Sequence, residues 1–297
     1  MEETQVVRDR RYANYLTAAV AEAQGAVKSD DQVETADEEE EEPLIYAMDG
    51  VVASGGDVNA SIYFNIFVGA QVIGFLMIAL TFIWVFKYLG GFGWQMPALQ
   101  FNYHPLFMVI GLVYLYGNSI LIYRVLRKQP KPKLKLIHAA LNGLAFCCAV
   151  FGLVAVFQFH NRADLPNLYS LHSWIGLLTV ILFGLQFVGG FVSFLYPTLS
   201  GHYRKMILPY HVFFGILLFT LAIATCLSGL TEKAFFSLKT KGAEYKDKPA
   251  ASYLINFLGL TIVVFGSVVG YLVTKEDYKR QPLPDEQVIQ QRVSQPF

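Results

Sequence analysis

Six histidines occur in the 297 residues, and four of them head long apolar runs: His104, His138, His172 and His211. Imidazole can ligate a metal or move a proton near neutral pH, so where the runs carry these rings decides the chemistry. Successive membrane helices alternate in direction, which puts His104 and His172 at one face and His138 and His211 at the other. Each face receives two imidazoles from two different helices. That arrangement suits a flat macrocycle needing one axial nitrogen above and one below, and a b-type haem held this way keeps no open position for O₂. Electron transfer is then the natural chemistry. A zinc site would want further Cys or carboxylate ligands in the helices, and a proton relay would want Asp or Glu at depth; the six runs hold neither acid. Covalent haem attachment would need Cys-x-x-Cys-His, which is absent.

The elements that must position these rings are long and apolar. Hydrophobic residues make up 54% of the chain and charged ones 15%, with a mean hydropathy of +0.41. Six charge-free runs are read as transmembrane helices: Ile62–Phe86, His104–Tyr123, His138–Phe159, His172–Tyr196, His211–Thr231 and Ser252–Thr274. Each spans roughly 30 Å or more at helical rise, enough for the hydrocarbon core. Their unbroken apolarity excludes a β-barrel, whose strands alternate. The fold class expected is an all-α integral membrane protein, a six-helix bundle in contact with membrane lipid. Residues 1–57, with the acidic run Asp37–Glu42, are read as a disordered tail, 58–275 as the membrane domain, and 276–297 as a C-terminal tail. The formal net charge of zero gives no reason to expect nucleic acid. Cys147, Cys148 and Cys226 all fall in apolar runs, so no disulfide framework is implied.

Basic residues near helix ends set orientation. Arg124, Arg127, Lys128, Lys131, Lys133 and Lys135 follow the second run, Arg204 and Lys205 lie between the fourth and fifth, and Lys275, Lys279 and Arg280 follow the sixth. All share one side, so both termini are expected in the cytosol. Trp84, Trp94 and Trp174 lie near one interface, and most of these aromatics are read as interfacial anchors or helix packing. No aromatic electron wire is required between the two histidine pairs.

The segments FNYHPLFMVIG, GNSILIYRVLR, KLIHAALN, NLYSLHSW and PYHVFFG resemble the successive signatures of the cytochrome b561 family, over about residues 60–280. Within it the chain is most similar to the ascorbate-dependent cytochromes of animal secretory and endosomal vesicles. The resemblance implies helices two to five cradling two non-covalent b-type haems, His138 and His211 on the cytosolic one and His104 and His172 on the other. It implies cytosolic ascorbate as donor, monodehydroascorbate or ferric iron as acceptor, a homodimer, and a secretory or endosomal/lysosomal vesicle membrane, with the plasma membrane as the other location. In some relatives a further histidine follows the third-helix ligand by four residues; here that position is Asn142.

Ascorbate is an anion and needs cations and hydrogen-bond donors. On the cytosolic side the candidates are Arg124, Lys131, Lys133, Lys135 and Arg204, with Arg124 and Lys133 given a catalytic role and Arg124 and Lys135 a place near the haem. The same residues also serve simply to set topology. On the far side His160, Asn167, Tyr169 and Ser170 form the candidate acceptor pocket, with Tyr169 beside the haem and His160 free for proton exchange. A haem-free polytopic carrier is the competing reading; the lack of a Gly/Pro-broken helix pair counts against it.

Overall fold

The structure, a computed structural model, describes residues 42–284 and 286. Among the described residues six helices are long and apolar enough to cross a membrane. α1 is Glu42–Ile83 and runs on into a π-helical turn at Trp84–Tyr88; the membrane-length stretch is Ser61–Tyr88. α2 spans Pro97–Val125 and contains a second π-helical stretch, Val109–Leu115. α3 is Lys131–Arg162, α4 Leu171–Phe194, α5 Gly201–Thr240 and α6 Ala250–Thr274. Large side chains such as Val72, Phe75, Leu185 and Phe213 face outward. Lipid is the solvent that such a surface requires, and helices are the form in which it satisfies the backbone.

The helices begin earlier than the apolar runs do. His138 and His211 do not open α3 and α5; Lys131 and Gly201 do. Lys131, Lys133, Lys135, Arg204 and Lys205 are therefore helical residues and lie outside the loops. The reason is that hydropathy marks where a helix enters hydrocarbon, while backbone hydrogen bonding continues into the watery layer wherever the sequence permits it. At the other end of the chain α1 reaches back to Glu42, into the stretch read as tail; residues 1–41 lie outside the described ones.

The middle of the bundle is closed by one aromatic ring from each of four helices. Tyr116 of α2 packs on Phe183 of α4 (ring centres 4.6 Å) and Phe219 of α5 (5.6 Å), and Phe183 meets Phe146 of α3 at 6.2 Å. The Tyr116 hydroxyl donates to the Gly215 carbonyl at 2.7 Å, which satisfies the one polar group the plug contains.

The C-terminal segment is tied to the turn between α2 and α3. Arg280 grips Glu286 through both guanidinium nitrogens at 2.8 Å and donates to the Gln129 carbonyl at 3.1 Å. Glu286 in turn accepts from the backbone N–H of Lys131 at 3.1 Å, the first residue of α3, so its carboxylate caps that helix. Tyr278 is buried against Tyr63, ring centres 4.7 Å apart. The guanidinium, with the N–H groups of Leu283 and Lys131, holds the Glu286 carboxyl down to about 2. The unfolded value is about 4.3, so the contribution is complete above that pH and is lost as pH falls through about 2. Glu286→Gln should loosen the tail at neutral pH by about 1 kcal/mol or more. Limited proteolysis of the tail should run faster in the variant at pH 7 and at matching rates near pH 2; equal rates at pH 7 would mean the strap holds nothing.

Candidate functional site

Local sequence sets each ring. His172 is in the first turn of α4, whose start is fixed by a reciprocal cap. Ser170 Oγ accepts from the Ser173 backbone N–H at 3.3 Å, and Ser173 Oγ accepts from the Ser170 N–H at 3.2 Å. His104 and His138 lie in the early turns of α2 and α3, and the Gln186 side chain of α4 donates to the His211 carbonyl of α5 at 2.7 Å.

Three rings are oriented by backbone carbonyls on neighbouring helices. His104 Nδ1 faces the Gly152 carbonyl of α3 at 3.2 Å, His138 Nδ1 the Ser119 carbonyl of α2 at 2.8 Å, and His172 Nδ1 the Thr225 carbonyl of α5 at 3.0 Å. A carbonyl can only accept, so Nδ1 carries the proton and Nε2 is left with a lone pair. That is the tautomer and orientation of a metal-ligating histidine.

The rings then pair across the bundle. His104 and His172 have ring centres 6.1 Å apart, and His138 and His211 6.2 Å apart. A metal–imidazole bond is about 2 Å, which sets two imidazoles on opposite sides of one metal with centres roughly 6 Å apart. Gly152 follows His138 along α3 at a distance on the order of 20 Å by helical rise, so the two pairs lie toward opposite ends of the bundle. The aromatic plug lies between them: on each of α2 to α5 its residue falls between a contact of one pair and a contact of the other.

Small residues make room for the rings. A Cβ added at Gly229 would sit 2.3 Å from His172 Cε1, and one at Gly190 would sit 2.9 Å from His211 Cε1. At the His104–His172 end a cavity of about 430 Å³ is walled by apolar side chains including Met108, Leu112, Val180 and Leu258. Two buried polar atoms on residues lining it, Trp84 Nε1 and Thr225 Oγ1, have no hydrogen-bond partner among the described residues. A roomy apolar slot with paired imidazoles and unspent donors fits a haem, whose body is apolar and whose edge carries carboxylates.

The other expected residues divide. His160, Asn167, Tyr169 and Ser170 all line the same cavity as His104 and His172. His160 stacks on Tyr169 at 6.0 Å, with Nδ1 against the Pro166 carbonyl at 3.0 Å. Packing around Tyr169, and next the Glu232 carboxylate, push its phenol above the usual value, so it remains a hydrogen-bond donor at neutral pH. At the other end Lys135 Nζ donates to the Phe194 carbonyl at 2.9 Å, and the Phe194 ring lies 5.2 Å from His211. Lys135 thus closes the end of α4 beside the second pair. Lys133 is out at the surface, donating to Gln129 Oε1 at 3.0 Å. The Arg124 guanidinium is turned to the Lys275 carbonyl at the end of α6. Its neighbour Tyr123 is the residue that approaches the site, 5.7 Å from His138.

Some residues take parts beyond those read from the sequence. Asn142 Nδ2 lies 3.2 Å from His138 Nε2 and donates to the His138 carbonyl at 2.9 Å, while Asn142 Oδ1 accepts from Ser119 Oγ at 2.9 Å. Trp84 is 1% exposed and lines the cavity, so of the two readings of the tryptophans packing applies to it. Gly190 and Gly229 could have been flagged, because glycine weakens a helix by about 1 kcal/mol and needs a packing reason to be there.

Comparison with known proteins decides the family. The profile described as eukaryotic cytochrome b561 matches residues 103–237. The Sus scrofa protein named transmembrane ascorbate-dependent reductase CYB561 is 44% identical over 220 residues, covering 74% of this chain and 86% of the relative. The chain belongs to the cytochrome b561 family. The Homo sapiens lysosomal membrane ascorbate-dependent ferrireductase CYB561A3 is also 44% identical, over 210 residues that cover 70% of this chain and 87% of the relative. Cytochrome b561 membership implies haem b, and it disfavours the haem-free carrier.

The glycine contacts give a test. Gly229→Ala must displace the His172 ring, an overpacking cost of about 1–3 kcal/mol, and should lower the haem content of the purified protein. Gly189→Ala, with nothing within 4 Å of the added carbon, should leave haem content unchanged. Equal loss in both variants would show that the contact is not what matters.

Proposed function

We propose that this protein is a transmembrane ascorbate-dependent oxidoreductase that passes single electrons from ascorbate on one side of a vesicle membrane to monodehydroascorbate or ferric iron on the other. The observation that carries this reading is the pair of matched imidazole gaps, 6.1 and 6.2 Å, at opposite ends of one bundle. The names of the relatives support ascorbate as donor and, for the lysosomal relative, iron as acceptor.

In this reading His104 and His172 hold one b-type haem and His138 and His211 the other. When bound, the two haems supply reversible one-electron storage with no open coordination site. The chain's own groups do the rest. Lys135, with Arg204 nearby among the charges around it, draws an anionic donor to the end where His138 and His211 meet. Lys133 adds to the field and Arg124 closes α6 beside it. At the opposite end His160 and Tyr169 flank the cavity; Nε2 of His160 accepts or returns the proton that accompanies ascorbate chemistry, and the Tyr169 hydroxyl donates a hydrogen bond to the acceptor. The basic residues at the end of α2, the start of α3 and the end of α6 support a cytosolic location for that side and for both termini. A homodimer completes the assembly expected of the family.

Two experiments test it. His138→Ala should cut haem to about half by pyridine assay, because one of two bis-imidazole sites is lost, and should abolish reduction by ascorbate added to the Lys135 side. Full haem content in both His138→Ala and His211→Ala would refute the ligand assignment. Liposomes loaded with ferric chelate or with monodehydroascorbate then identify the acceptor by which one is reduced when ascorbate is outside.

A further inference from the structure

We infer that Lys233 is a fixed positive charge that holds an anionic oxygen group inside the cavity at the His104–His172 end. The inference rests on the proposed haem reading of that cavity. Thr225, Gly229 and Lys233 recur at four-residue spacing on α5, so they lie on one helical face. Thr225 gives its carbonyl to His172, Gly229 makes room for the same ring, and Lys233 lines the cavity one turn further on. The ammonium sits 3.9 Å from the centre of the Phe101 ring, which also lines the cavity.

Lys233 is half-buried, and among the described residues no carboxylate forms an ion pair with it. The adjacent Glu232 accepts from Ser170 Oγ at 3.1 Å. An aromatic face offsets only part of the cost of drawing an ammonium out of water; an anion would offset the rest. Two further donors on cavity residues, Trp84 Nε1 and Thr225 Oγ1, are buried and unpartnered. Trp84 belongs to the π-helical turn that ends α1, and Val109 and Leu112 of the π-helical stretch in α2 line the same cavity. Such departures from α geometry recur at functional sites. An ammonium, an indole N–H and a hydroxyl around one apolar slot ask for acceptor oxygens bearing negative charge. Two sources share that chemistry: a carboxylate on the edge of the haem, and the enolate oxygens of monodehydroascorbate.

The test uses the full-length, haem-loaded protein with Lys233→Met and Lys233→Arg. If the partner is the haem carboxylate, Lys233→Met should weaken reduction of one haem by about tenfold, a fall of about 59 mV for a one-electron couple. The other haem should be unchanged, and Lys233→Arg should restore the shifted one. If the partner is the acceptor, both potentials should stay put while KM for monodehydroascorbate rises several-fold with kcat retained, again restored by Arg. Either result supports the charge at Lys233. A Met variant with normal potentials and normal KM overturns it, as does an Arg variant that fails as fully as Met, since shape would then be what counts. Lys233→Gln replaces the Met variant if that one does not accumulate. Wild-type protein that binds no haem would overturn the reading of the cavity instead, which is a different outcome.

Discussion

An imidazole whose Nδ1–H is committed to a carbonyl has a single nitrogen left to offer, and that constraint organises the bundle. His104 of α2 leans on α3 through Gly152, and His138 of α3 leans back on α2 through Ser119, while His172 of α4 leans on Thr225 of α5. The ring pairings run the other way, α2 with α4 and α3 with α5. Hydrogen bonds and ring pairs together connect each of the four helices to two others. None of these contacts needs an exotic residue; they need the rings at matched depth, with glycine wherever a neighbouring helix must give way.

The two ends built on this frame are unlike. At the His104–His172 end the cavity runs out to His160 in the last turn of α3 and Tyr169 on the α3–α4 connection. At the His138–His211 end the approach is framed by Lys135 and by Tyr123, and the neighbouring start of α3 is capped by Glu286. One end opens into an apolar cavity; the other presents cations beside its ring pair.

Much of this was legible in the residues. The four histidines at the heads of apolar runs, sorted by helix direction, give the same two ring pairs whose centres lie 6.1 and 6.2 Å apart in the fold, because hydrophobicity and chain direction are properties of the sequence alone. Helix starts were not legible, since Lys131 and Gly201 lie outside hydrocarbon, where hydropathy says nothing about backbone geometry. Whether Trp84 anchors or packs was not legible, because composition does not reveal which face a π-helical turn presents. The bonds from Arg280 to the Gln129 carbonyl and from Arg124 to the Lys275 carbonyl each join residues 151 positions apart, contacts that only the folded chain brings together.

The plug of Tyr116, Phe146, Phe183 and Phe219 has a consequence for energy conversion. Its rings fill the space between the two histidine pairs, and its one hydroxyl is already spent on the Gly215 carbonyl. On the proposed path an electron can tunnel through this layer, whereas a hydrated proton finds no chain of acceptors in it. Charge then crosses uncompensated, and turnover is electrogenic. Each electron works with or against the membrane voltage at about 2.3 kcal/mol per 100 mV, so the ion gradients of the host vesicle become part of the driving force of the enzyme.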